Sequence, residues 1–279
     1  MSISCSTEDV TKISPEKLKQ ILDNDREGNN ILVDVRQPEE YEQSHIPGSK
    51  LIPLDELDAR YDELDKNKNI ITYCRAGRRS LGAATYLCNL GFQNVYTMDG
   101  GIIEWNYKTL SGYPEEKPEF ITGNEQIKDI LLTALKLEKG AQDFYSRAKN
   151  NEMSSNIRQT LDKLSQFENA HINRLYRWYA NTVEEEDIPE LEVLKKELDF
   201  EYMEGGIKLS KELLKSDEKF KDEIDVLETA IEKEYLSFDF YKRMAEIMSD
   251  KNTRKLLHEL ASEEKNHITY LTNNLKQII

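Results

Sequence analysis

Two sets of residues in this chain combine types and spacings that can do chemistry. In the C-terminal half, Glu138 is followed 30 residues later by Glu168, with His171 three further on; Glu234 is followed in the same way by Glu264 and His267. Each member of the second set lies 96 residues after its counterpart, and the same offset carries Asp143, Phe144 and Tyr145 onto Asp239, Phe240 and Tyr241. On a helix a spacing of three sets two side chains one turn apart on the same side, so Glu168 and His171 can reach one ion, as can Glu264 and His267. Four carboxylates and two imidazoles are hard to borderline donors that suit two ions of iron or manganese, with zinc also able to bind them. Tyr145 and Tyr241 follow their glutamates by two turns on one face, in reach of a hydrogen bond to a ligand.

The second set is a loop in the N-terminal half: Cys74, Arg75, Ala76, Gly77, Arg78, Arg79 and Ser80. It follows an apolar run and precedes a helical one. Backbone N–H groups in such a loop converge on an anion, the helix presents its positive end, and three arginines add charge. All three favour a thiolate at Cys74 and a lowered pKa. Cys88 lies among helical apolar residues and reads as core, whereas Cys5 falls in a flexible end with no role assigned. Three scattered cysteines without a Cys-x-x-Cys pair suit neither a disulfide framework nor a zinc, iron–sulfur or rubredoxin-type site.

The elements that must position these residues fall into two kinds. Up to about residue 112, the apolar runs 31–35, 69–73 and 94–98 read as buried strands, and helices start near Ser14-Pro15 and after Arg79. Strands alternating with helices predict an α/β domain with a largely parallel sheet over residues 1–112. Two prolines and a glycine among charges then mark a linker over 113–122. From 123 to 279 the apolar period is three to four, which predicts an all-α four-helix bundle with helices at 123–149, 152–181, 219–248 and 251–277. Residues 182–218 form a long crossover holding a helix near 189–202, Gly205-Gly206 and a further short helical stretch.

The flanks of the glutamates are apolar: Leu164, Ile172 and Leu175 around one pair, Leu260, Ile268 and Leu271 around the other. Burying carboxylates without partners costs several kcal/mol, and metal coordination supplies the partners.

Composition bounds the partners. A chain of 279 residues with 38% hydrophobic residues holds one to three globular domains. Its net charge of −15 opposes nucleic acid and anionic membranes. The first residues lack a basic n-region, and no run approaches the roughly 20 apolar residues of a membrane span, so the expected location is the cytoplasm.

The doubled set of Glu, Asp-Phe-Tyr and Glu-x-x-His resembles the rubrerythrin and ferritin-like di-iron family. That resemblance implies that Glu168 and Glu264 bridge two irons, that Glu138 and Glu234 are terminal, and that one histidine serves each iron. It also implies oxidase or peroxide-reducing activity and, by analogy, a homo-oligomer formed through the bundle. Rubrerythrins carry a further carboxylate on the third helix, where this chain has Ile231 and Ser237, and a rubredoxin domain, which it lacks. Electrons must then come from a separate donor such as a rubredoxin, with no organic cofactor.

The first domain resembles a single-domain rhodanese over residues 10–112. The matching residues are Val33-Asp34-Val35-Arg36, Glu39-Glu40-Tyr41, His45-Ile46-Pro47-Gly48, the 74–80 loop, Gly91-Phe92, Asp99-Gly100-Gly101 and Trp105. This implies sulfur transfer: the Cys74 thiolate takes the outer sulfur of thiosulfate or another donor as a persulfide and passes it to a thiophilic acceptor. Asp34, Arg36 and His45 would hold the loop. Phosphatases of related architecture place Arg where this chain has Ser80, so the loop is one residue short for phosphate. A second reading is a metal-binding or sulfur-carrying protein whose bundle serves iron binding or oligomerisation without turnover.

Overall fold

The computed structural model describes residues 5–112, 125–149, 153–182, 188–198, 201–203, 207–210, 212–213, 220–248 and 250–279. The chain divides into two compact units, Met1–Glu116 and Lys117–Ile279. The predicted linker and Gly205-Gly206 lie outside the described residues.

The first unit is an α/β layer. Its strands are β1 (Thr11–Ile13), β2 (Asn30–Asp34), β3 (Ser49–Leu51), β4 (Asn69–Tyr73) and β5 (Val95–Met98), and its helices are α1 (Pro15–Asn24), α2 (Pro38–Gln43), α3 (Leu57–Arg60) and α4 (Arg78–Asn89). All strand pairs are parallel, in the order β1-β5-β4-β2-β3. The central strands feed two cores by alternation: Ile31, Val33 and Ile70 enter one apolar cluster, Leu32 and Ile71 the other. Burial on both faces is why these strands read as unbroken apolar runs. The three-residue edge strands β1 and β3 carry too short a pattern to be read in advance. Ser14 caps α1 by accepting from the Lys17 amide at 3.2 Å, with Pro15 opening the first turn.

The second unit is helical: α5 (Ile127–Arg147), α6 (Ser155–Thr182), α7 (Leu191–Glu197), α8 (Glu223–Ile247) and α9 (Lys251–Ile278). Its interior holds two apolar clusters, and α5, α6 and α8 each pass from one to the other at a glutamate. Along α5, Leu137 belongs to the first and Ala141 to the second, with Glu138 between. Along α6 the order reverses, from Leu164 through Glu168 to Ile172, and α8 repeats that order from Ala230 through Glu234 to Phe238. Helices α6 and α8 therefore run the same way, and the chain between them must travel the length of the bundle. Leu194 packs in the first cluster and Met203 and Leu209 in the second, which traces that crossover.

The crossover differs from the expected helix over 189–202: its helix is shorter and ends at Glu197. After α7 it forms an antiparallel pair, β6 (Tyr202–Met203) with β7 (Ile207–Lys208). Helix α5 admits this pair at Gly140, where a Cβ would lie 2.2 Å from the Tyr202 carbonyl oxygen. Among the described residues, no helix is long and apolar enough to cross a membrane.

Candidate functional site

Cys74 follows the carboxyl end of β4, the middle strand of the sheet, and is 1% exposed. The loop turns into α4 at Gly77, whose φ of +83° lies in the left-handed region that favours glycine. A second glycine closes the loop from behind: a Cβ on Gly101, itself at φ +65°, would lie 2.4 Å from the Cys74 carbonyl oxygen. That close approach lets the Ile102 amide donate to Cys74 O at 2.8 Å and the Ile103 amide to Arg75 O at 3.2 Å.

Burial pushes the Cys74 thiol up, but hydrogen bonding from the Ser80 amide and hydroxyl and from the Ala76 and Gly77 amides outweighs it, leaving the pKa below that of an ordinary thiol. Ser80 is itself fixed: its carbonyl accepts from the Thr72 hydroxyl at 2.9 Å and its hydroxyl from Thr97 at 2.9 Å. Arg75 and Arg78 are exposed on the loop. Arg79 is committed elsewhere, with both terminal nitrogens on the Glu40 carboxylate at 2.7 Å, a pairing that lowers the Glu40 pKa to about 2.

Asp34, Arg36 and His45 are buried. The Arg36 guanidinium holds Asp34 in a fork, with contacts down to 2.6 Å, and donates to Ser44 O at 2.6 Å. His45 stacks on Tyr41 with ring centroids 3.9 Å apart.

Two cysteine expectations are corrected. Cys5 and Cys88 form a disulfide, so Cys5 is tied down and Cys88 is a half-buried cross-link rather than core. Asn89 sets the pairing up: its side-chain carbonyl accepts from the Cys5 amide at 2.8 Å, and its side-chain amide donates to Cys5 O at 3.0 Å. Local helical pattern could not reveal a partner 83 residues away.

In the helical unit, Glu138, Glu168, Glu234 and Glu264 are each 0% exposed, and His171 is also buried. They converge with His267. His171 Nδ1 lies 3.0 Å from Glu138 Oε2, and His267 Nδ1 lies 3.2 Å from Glu234 Oε2 and 3.3 Å from Glu264 Oε2. The two imidazole rings meet edge to face at 4.5 Å. Two groups have donor atoms close enough to share an ion: Glu138, Glu168 and His171, and His171, Glu264 and His267.

The donor set fits a metal. Both carboxylate oxygens of Glu138 and of Glu264 are buried without a hydrogen bond of acceptable geometry, a costly state for an acid. Burial and the neighbouring Glu234 and Glu138 push the Glu264 carboxyl well up. His171 is also pushed well up, because Glu138 foremost outweighs the burial that opposes its charge. Metal binding releases such protons and supplies the missing charge.

Tyr145 and Tyr241 are buried in the two apolar clusters. The duplicated neighbours Asp143 and Asp239 repeat an ion pair one turn on, with Arg147 at 3.1 Å and Arg243 at 2.8 Å. One buried acid escaped the sequence reading: Glu263, beside Glu264, lies 3.1 Å from His171 Nε2. The 96-residue offset could not flag it, because its counterpart is Phe167.

Comparison with known proteins matches both units. The Rhodanese-like domain family matches residues 14–108 and the Rubrerythrin family residues 225–278. A sulfurtransferase of Allochromatium vinosum is 36% identical over 110 residues, covering 39% of this chain and 98% of that protein. The thiosulfate sulfurtransferase GlpE of Pseudomonas syringae is 35% identical over 105 residues, covering 38% of this chain and 92% of that protein. A putative sulfur carrier protein, YrkF of Bacillus subtilis, is 45% identical over 100 residues, which span 36% of this chain and about half, 53%, of that protein. The rubrerythrin match implies a di-iron site.

Proposed function

Because the chain belongs to the rhodanese family of sulfurtransferases through its first unit and carries a rubrerythrin domain in its second, we propose that it transfers sulfane sulfur at Cys74 and holds two iron ions among the helices. The observation that carries the sulfur chemistry is the lowered pKa of Cys74 inside a ring of donors from Ala76, Gly77 and Ser80. The Cys74 thiolate attacks the outer sulfur of thiosulfate; a new S–S bond forms, the old one breaks, and sulfite leaves with the electron pair. The loop amides then face the terminal sulfur of the persulfide, which carries the negative charge. A thiophilic acceptor takes that sulfur and releases the Cys74 thiolate.

In the helical unit, Glu138, Glu168 and His171 with Glu234, Glu264 and His267 would hold the two irons. The irons, when bound, supply redox chemistry toward oxygen or peroxide. The buried carboxylates exclude water and set the donor atoms that would hold the ions. Reducing equivalents come from a separate donor protein, the bundle pairs with a second copy, and the protein acts in the cytoplasm.

Thiocyanate formation from thiosulfate and cyanide tests the first activity. Wild-type protein turns over; Cys74→Ser falls to background, and retention of activity by that variant overturns the assignment. Iron analysis after anaerobic loading tests the second: the expected content is two irons per chain, lost when Glu168 and Glu264 are both changed to Ala. The similarity to a sulfur carrier protein favours a second reading, in which the persulfide is delivered to a protein acceptor. Stable persulfidation of Cys74 with slow release to cyanide, read by mass spectrometry, distinguishes it.

A further inference from the structure

Glu40 sits where the beginnings of two helices meet. It is the third residue of α2, and its Oε2 accepts from the Gln37 amide at 3.2 Å, which closes the cap of that helix. The same oxygen and its partner Oε1 also accept from the two terminal nitrogens of Arg79, each at 2.7 Å. Arg79 is the second residue of α4, the helix that opens directly after the Cys74 loop. A cation in the first turn of a helix opposes the macrodipole, and α4 begins with two, Arg78 and Arg79, and no acid. The acid that α4 lacks comes from α2.

The pair lies within electrostatic reach of the thiol. Glu40 foremost raises the Arg79 pKa, and the Cys74 thiolate and Asp34 add to that rise. Of the other groups around the loop, Asp34 is forked by Arg36, burial foremost keeps the Tyr73 phenol protonated, and Arg75 and Arg78 stand exposed. A lone guanidinium beside a thiolate stabilises it and draws anionic reagents, whereas one forked by a carboxylate presents a pair of no net charge.

We propose that Glu40 is a positioning residue of the sulfur-transfer site: it holds the Arg79 guanidinium and cancels its charge beside Cys74, leaving the thiolate to the loop amides and the attraction of an anionic sulfur donor to Arg75 and Arg78. This inference rests on the sulfurtransferase reading above. Arg79 is 35% and Glu40 31% exposed, so solvent screening keeps the effect to a factor of about 2 to 5.

The test is alkylation of Cys74 in the full chain, whose other two cysteines are joined to each other. Rates are followed against pH with neutral iodoacetamide and with anionic iodoacetate, and mass spectrometry maps the label to Cys74. Glu40→Gln keeps an acceptor for the Gln37 amide and removes the charge. Its alkylation midpoint moves to more acid pH, its ratio of iodoacetate to iodoacetamide rates rises about 2- to 5-fold, and its kcat/KM for thiosulfate rises by a similar factor. Arg79→Gln leaves Glu40 unpaired and moves all three readings the other way. The double variant falls between the two, and Glu40→Asp recovers most of the wild-type pattern. A pair that merely braced the fold would move both single variants in the same direction, because either loss would loosen the ring of amides. That outcome, or a Glu40→Gln whose readings do not move, overturns the inference. Circular dichroism reports folding; if Glu40→Gln does not fold, Arg79→Gln decides through the reagent ratio measured above the midpoint, which loosening alone leaves unchanged. Absence of thiocyanate formation by wild type, with the alkylation pattern intact, overturns the sulfurtransferase reading and leaves the charge pair standing.

Discussion

The two units solve the problem of a charged reactive centre in opposite ways. In the first, one side chain is reactive and the backbone does the stabilising: Ala76, Gly77 and Ser80 amides lower the Cys74 pKa, and the loop keeps its shape because Gly77 and Gly101 adopt positive φ. In the second, the backbone is fully engaged in helices and the centre is made of side chains alone, four acids and two imidazoles crossing the boundary between two apolar clusters. A backbone-built site depends on a few local dihedrals, so it should fail through glycines. A side-chain-built site depends on donors that repel one another until a cation arrives, so it should fail through charge.

The largest expected effect is at Gly101. Gly101→Ala places a Cβ against the Cys74 and Arg75 carbonyl region and forces a left-handed residue, at about 1–2 kcal/mol for the dihedral plus about 1–3 for overpacking. Thiocyanate formation should fall sharply and the first unit should melt earlier, while metal content stays unchanged. Unaltered activity would refute the buttress. Reduction of the Cys5–Cys88 cross-link should destabilise the first unit by about 2–4 kcal/mol and leave the helical unit untouched, as read by separate unfolding transitions with and without reductant.

Gly140→Ala tests the second unit's own close contact. Its Cβ would press on Tyr202, at about 1–3 kcal/mol, partly offset by about 1 kcal/mol of gained helix propensity. A stability gain would show that the crossover yields freely. The smallest effect belongs to Ser80→Ala. Removing one donor to the Cys74 thiolate raises the thiol pKa, so the midpoint of the activity–pH profile should move to more alkaline pH with near-normal activity above it. An acid-ward shift or no shift would assign the lowering to the backbone amides alone.

How far each site could be read in advance follows from the same contrast. The convergence of the repeated Glu and His residues was legible because a helix converts spacing into direction: three residues apart means one side, and a 96-residue repeat says that it happens twice. Glu263 was not legible, because it breaks the repeat and its partner His171 lies on another helix. The loop was legible as a motif, and its three arginines suggested a common role. In the folded protein Arg79 instead pairs with Glu40, 39 residues earlier on α2. Cys5 and Cys88 were misread for the same reason: a residue's neighbours along the chain say nothing of a partner brought in from the far end.

By itself, then, the sequence determined the two kinds of architecture, the loop that follows Cys74 and the repeated Glu and His residues that converge, because each rests on interactions within a few residues, helical period, strand alternation and turn chemistry. Tertiary structure alone decided the rest. It set which arginine reaches Glu40, placed the Gly101 turn behind Cys74 and laid the crossover against Gly140. It also brought Glu263 to His171 and Phe167 to His267. Those outcomes depend on contacts between distant segments, whose closure no local pattern encodes.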